Sequence, residues 1–383
     1  MPLKNISFIS IHIFFRSQNM AQPREATTTR TFVDNYCANY KHLFPEVRSF
    51  EFFKWLHVGL VSDIDRKSLP AIAKYLGLNN QALLHFVTES PWQINELRNQ
   101  RLSIIRQVLQ RRSFTLIIDD TGDKKKGKTT DYVDKQYIGN LGKFENGIVS
   151  VNAYAFLDGL IFPLTFKVFR PLKRLKPGDT FKTKPQLIAE IIEELQAGGF
   201  TFDLVLADTV YGECDTLINI LNQSQLNFIV AIRSNVGFWL APSQKIRYTS
   251  WKKFHRIFSN GKTEQSYIRE IIFGSRRELR YWQITNNREQ SAENFTMFLM
   301  SNLPKFISSA VDNPYGLITW LEYGCKHSKN YIGWSDFRIT NYEQIERWWE
   351  IVSSVYCMLS MQFHIFQQKS NQAIHNQNTE LIA

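Results

Sequence analysis

The sequence predicts a mixed α/β chain: an α/β core, preceded by helices and interrupted by a β-rich segment. Three observations predict it. Residues 31–112 carry apolar side chains at helical spacing. Two apolar runs, Phe114–Asp120 and Phe202–Asp208, read as buried strands, and each ends in aspartate. Between residues 237 and 300 charged and aromatic residues alternate, as in antiparallel strands.

Residues 1–30 read as a disordered N-terminal extension, with Met20 as an alternative start. Within the helical segment 31–112, Ser68–Leu78 has helical periodicity and Gly77 near its end, and Asn79 opens a second helix through Phe86. Helix, glycine-containing turn and helix is the outline of a helix-turn-helix, and equally of an ordinary packed helical hairpin. From residue 113 to 236 the order is three strands (Phe114–Asp120, Gly147–Phe156, Leu160–Phe169), a helix (Lys184–Ala197), a strand (Leu204–Ala207), a helix (Asp215–Ser224) and a strand (Phe228–Ile232). This is the order of an RNase H-like core, and one shared with other α/β layouts. The β-rich insertion covers 237–303, core helices resume over 304–363, and residues 364–383 form a polar, loosely ordered tail.

Composition narrows the function classes. Hydrophobic residues make up 44% of the 383, which places the chain among globular proteins. Lys and Arg number 46 against 35 Asp and Glu, a net charge of +11, so a polyanionic partner is expected. The four cysteines form no CxxC pair and no zinc spacing, which points to free thiols in a reducing compartment. No apolar stretch reaches the roughly 18–20 residues needed to span a bilayer, so no membrane partner is expected. The sequence has no G-x-S-x-G, P-loop or H-E-x-x-H motif.

The residues that suit chemistry are acidic. Asp119, with Asp120 beside it, and Asp208 end their apolar strands, and Glu322 lies in a helical segment past the insertion. Oxygen-rich carboxylate sites suit Mg²⁺ or Mn²⁺, and two such ions stabilise the attacking and leaving oxygens of a phosphoryl displacement. Because a strand alternates its faces, only one of Asp119 and Asp120 should point into a shared site. Tyr315, Glu322 and Lys329 recur every seven residues and share one helix face.

These motifs carry a resemblance. Ile118-Asp119-Asp120-Thr121-Gly122, Gln136-Tyr137-Ile138-Gly139, Leu141-Gly142-Lys143 and Ala207-Asp208 with Tyr211-Gly212 resemble DDE transposases of bacterial insertion sequences. The similarity is to the group with a Y-x2-R-x3-E-x6-K signature, matched here by Tyr315, Ile318, Glu322 and Lys329, with Ile318 where the signature has Arg. The resemblance implies an RNase H-like catalytic core interrupted by a β-rich insertion. It also implies metal-dependent end cleavage and strand transfer on double-stranded DNA, with two Mg²⁺ or Mn²⁺ ions per site. A homodimer assembled on DNA and a cytoplasmic, nucleoid-associated location are implied with these.

Asp119, Asp208 and Glu322 are then the metal-binding catalytic residues, Asp120 the alternative ligand, and Lys329 a phosphate contact. Lys124, Lys125, Lys126, Lys128, Arg170, Lys173 and Arg174 lie in basic loops expected to contact DNA, joined by Tyr315 and by Trp239 as a stacking residue. Ile318 keeps open a second reading, a catalytically decayed or repurposed DNA-binding protein.

Overall fold

The apolar run ending in Asp119 becomes the long strand β1 (Phe114–Lys124) at the heart of a mixed sheet. The computed structural model describes residues 24–207, 215–232, 245–257, 263–273, 279–288, 296–303 and 332–380. Helices α1 (Thr31–Cys37), α2 (Val47–Val61), α3 (Leu69–Leu76), α4 (Asn80–Thr88) and α5 (Ile94–Leu109) precede β1. Strands β2 (Asp134–Ile138), β3 (Lys143–Leu157) and β4 (Leu160–Val168) follow it. Then come α6 (Lys184–Ala197), β5 (Phe202–Ala207), α7 (Asp215–Gln223) and β6 (Asn227–Ile232). Strands β7 (Ile246–Tyr248), β8 (Lys252–Ile257), β9 (Thr263–Phe273), β10 (Arg280–Thr285) and β11 (Thr296–Ser301) lead to the last described helix, α8 (Tyr342–Glu380).

The described strands form one sheet in the order β2-β3-β1-β5-β6-β11-β10-β9-β7, with β4 also paired to β3 and β8 to β9. Strand β1 runs antiparallel to β3 and parallel to β5, and β5 runs parallel to β6. Each parallel step is bridged by a helix, α6 and then α7, as a parallel crossover requires. The strands from 246 to 301 continue the same sheet, because β11 pairs antiparallel with β6.

Side chains alternate across this sheet. Leu116, Ile118, Val205 and Val230 join a core shared with α6, α7 and the N-terminal helices. Ile117, Leu206, Ile229 and Trp282 fill a second core on the other face. Helices α1 to α5 lie between Thr31 and Leu109, and their apolar side chains belong to the same core as the sheet. Gly77, at φ 66°, closes α3 in the left-handed conformation that an L side chain adopts only with strain. Asn79 Oδ1 accepts from the Ala82 amide at 2.9 Å and starts α4.

Helix α8 is clamped to the N-terminal helices by buried polar contacts. Arg101 and Glu350 are fully buried and meet at 2.7 Å (Nε–Oε1). Arg98 reaches Glu350 at 3.1 Å and Glu346 at 2.8 Å. Arg101 also donates to the carbonyls of Pro163 and Leu164, which ties α5 to β4. The helix runs unbroken to Glu380, across the segment from residue 364 expected as a loosely ordered tail. No Pro or Gly occurs between Tyr342 and Glu380, and extending an existing helix costs far less than starting one.

His57 is buried in the same contact, with Nδ1 2.9 Å from the Phe53 carbonyl and Nε2 3.0 Å from Ser354 Oγ. Burial lowers its pKa to about 4, against the opposing pull of the Phe53 carbonyl. The unfolded chain therefore binds this proton more readily than the folded one between pH 6.5 and 4. Stability should fall by about 3 kcal/mol over that window, and His57→Gln should flatten this part of the pH dependence of the urea midpoint.

Candidate active site

Strands β1 and β5 are parallel neighbours, and their pairing ends one residue before Asp119. Ile118 pairs with Ala207 in parallel register, and Ala207 is the last residue of β5. Asp119 thus stands at the level where the chain leaves β5 and continues to Asp208. Asp208, Tyr211, Trp239, Tyr315, Ile318, Glu322 and Lys329 lie outside the described residues. Among the described residues no group of three His, Cys, Asp or Glu side chains is placed to hold a metal.

Asp119 and Asp120 leave β1 on opposite faces. Asp119 is half-buried and lies opposite Asn152 of β3, on the face of Ile117 and the second core. Asn152 is itself buried and held by Ser150 Oγ at 3.2 Å. Asp120 faces the first core, is 6% exposed, and is ion-paired with Lys184 Nζ. Lys184 is the first residue of α6, fixed there by a capping box between Thr183 and Gln186. Gly139 presses on the same carboxylate, since a Cβ there would sit 3.3 Å from Asp120 Oδ1. Asp120 is therefore committed to a lysine on the helix side. This partner carries no sequence signal, because Lys184 lies 64 residues further along the chain.

The basic loops are largely stapled to the protein. Lys124 pairs with Glu145 at 3.0 Å and Lys125 with Asp123 at 2.6 Å, with Lys125 Nζ also 3.5 Å from the Phe337 ring centroid. Arg170 pairs with Asp179 at 2.5 Å and lies over the rings of Tyr132 and Tyr342. Arg174 donates to the carbonyls of Lys128 at 2.8 Å and Thr130 at 3.2 Å, joining the two loops into one ridge. Burial, and then a hydrogen bond to Asp179, raise the Tyr132 phenol to about 12, so it stays protonated and keeps donating. Lys126, Lys128 and Lys173 are exposed, and their side chains meet no ionic partner among the described residues. The pattern of basic runs located the ridge. Tyr132, Asp179 and Tyr342, which hold it together, were not legible without the fold.

Comparison with known proteins decides the family. A family model described as DDE superfamily endonuclease matches residues 42–262, from before α2 through β8 and including Asp119. The chain belongs to the DDE superfamily endonucleases. A curated relative from Microchaete diplosiphon, named a probable transposase for insertion sequence element IS701, is 52% identical over 362 residues. The alignment covers 93% of this chain and 95% of the relative. The sequence resemblance to DDE transposases thus holds at the level of family and enzyme class. Divalent metal ions are the cofactors of this superfamily. No described helix is long and apolar enough to cross a membrane.

Proposed function

We infer that this chain is the DNA transposase of an insertion sequence, cutting DNA at the element's ends and joining the freed 3′ hydroxyl to a target strand. The observation that carries this reading is the position of Asp119 midway along β1, one residue beyond the Ile118–Ala207 pair at the end of parallel strand β5, from which the chain continues to Asp208. The order β1, β3, β4, α6, β5, α7, β6 is read as an RNase H-like core.

An all-oxygen donor set suits Mg²⁺ or Mn²⁺, and Asp119, Asp208 and Glu322 are the residues that would hold two such ions. Bound there, the ions supply charge stabilisation at the attacking and leaving oxygens. The rest of the work falls to the protein. Asp119 is set apart from Asp120 by the pleat, and the Lys184 pair keeps the second carboxylate out of the site. Lys329, with the free lysines of the ridge, holds phosphates, so that catalysis is positioning and charge stabilisation. Tyr315 and Trp239 contact the DNA, α3 and α4 bind it as a helix-turn-helix, and two copies act together because two ends are joined.

The ridge gives a measurable consequence. Each phosphate neutralised contributes about −0.9 to the slope of log affinity against log salt. Substituting Lys126, Lys128 or Lys173 by Ala should make that slope shallower by roughly one unit for each lysine in contact. Lys124→Ala and Arg174→Ala, whose side chains are occupied within the protein, should change it less.

Ile318 favours one alternative, a decayed copy that binds DNA without cutting it, since Ile cannot replace an arginine at a phosphate. A strand-transfer assay separates the two readings. Pre-cut element ends should appear covalently joined to a supercoiled target plasmid in the presence of Mg²⁺ or Mn²⁺. Binding with no joined product under either ion would favour the decayed copy.

A further inference from the structure

We infer that the solvent face of β7, β8 and β9 is a platform for an unpaired DNA strand, on which Tyr248, Trp251 and Tyr267 stack bases. The inference rests on DNA being the substrate and adds a second surface, remote in sequence from the carboxylates.

Charge gives the first argument. Residues 245–288 contain eleven Lys and Arg against three Asp and Glu, a net charge of +8 within a chain of +11. Most of the excess positive charge therefore lies in this short part of the chain. The pleat gives the second argument. On β9, Ser266, Ile268 and Glu270 are buried, and Glu270 lies opposite buried Trp282 of β10. Tyr267 and Arg269 therefore share the opposite face, half-buried there, with Ile271 buried at its far end and Lys253 of β8 opposite Tyr267. Lys253 and its neighbour His255 are exposed.

Ring geometry gives the third. The Arg269 guanidinium lies 4.1 Å from the Tyr248 ring centroid and 4.3 Å from that of Trp251. Its Nε donates to Gln283 Oε1 at 2.7 Å, which fixes its plane. Arg288 lies 4.5 Å from the Tyr267 centroid. The rings are thus held in place before any ligand arrives, and Tyr248 keeps 51% of its surface in solvent. Cations alone would serve a duplex as well. Rings on an open sheet face favour bases that are not already paired and stacked.

The test is fluorescence anisotropy on the full chain, with a labelled oligothymidylate of about 16 nucleotides and a duplex of equal length. Tyr248→Ala with Trp251→Ala should weaken single-strand binding by about 100-fold, at about 10-fold or more for each ring. Duplex binding should stay within about 3-fold, and Tyr248→Phe, which keeps a ring, should bind like wild type. Circular dichroism controls for folding. Unchanged single-strand binding by the double variant would overturn the platform, as would an equal loss on single strand and duplex. Asp119→Asn should retain single-strand binding, so failure of the platform and failure of the cleavage site are read separately.

Discussion

Asp119→Asn is expected to lose DNA end cleavage by at least about 10²–10³-fold while keeping the fold and DNA binding. On the proposed function Asp119 would hold a divalent ion, and a neutral amide of the same shape would take that charge away from the reacting phosphate. Asp120→Asn should behave differently. It removes the charge that Lys184 faces in a buried setting, so its first effect is on stability, by about 1–3 kcal/mol, with measurable cleavage remaining. The pair of variants can be compared on one gel and one denaturation curve. Equal loss of cleavage in both, with both folded, would mean that the pleat does not divide the two acids into different roles.

The second large effect is on the fold. Glu350→Gln should cost about 3–5 kcal/mol in urea unfolding, because it leaves Arg101 buried with no counter-charge and weakens Arg98. Burial alone would raise the Glu350 carboxyl, but Arg101 and Arg98 overcome it and hold the pKa below the ordinary value. A lowered folded pKa means that this stabilisation is present above the unfolded carboxyl pKa, near about 4.3, and is lost as pH falls below it. Wild type should therefore lose stability in acid faster than Glu350→Gln. His57 adds to the slope at higher pH, and its window between pH 6.5 and 4 distinguishes it from Glu350.

How much of this was legible from the sequence depends on the range of the interaction. Strands β1 and β5 could be located because each begins as a continuous apolar run, a local pattern, but β1 does not end at its acids as expected: pairing with β3 carries it through Asp119 and Asp120 to Lys124. The αα-hairpin of α3 and α4 could be read because Gly77 and Asn79 are local punctuation. The ion pairs could not be read. Nothing near Asp120 announces Lys184, and nothing near Arg101 announces Glu350, which is 249 residues away. The basic loops were visible as charge, but not the partners that occupy Lys124 and Arg170, which are Glu145 for the first and Asp179 with Tyr132 for the second. The polar segment from residue 364 gave no sign of order, whereas the absence of Pro and Gly lets α8 continue through it to Glu380.

The central claim is that Asp119, Asp208 and Glu322 form one metal-dependent cleavage site. The most direct test uses end-labelled linear DNA carrying the element's own terminal sequence, incubated with wild type and with Glu322→Gln across a titration of Mg²⁺ and of Mn²⁺. Metal-dependent cutting at the element end by wild type, absent in Glu322→Gln with DNA binding unchanged, is the predicted result. Cutting by Glu322→Gln at the wild-type rate would contradict it, and so would binding by wild type without cutting under either ion.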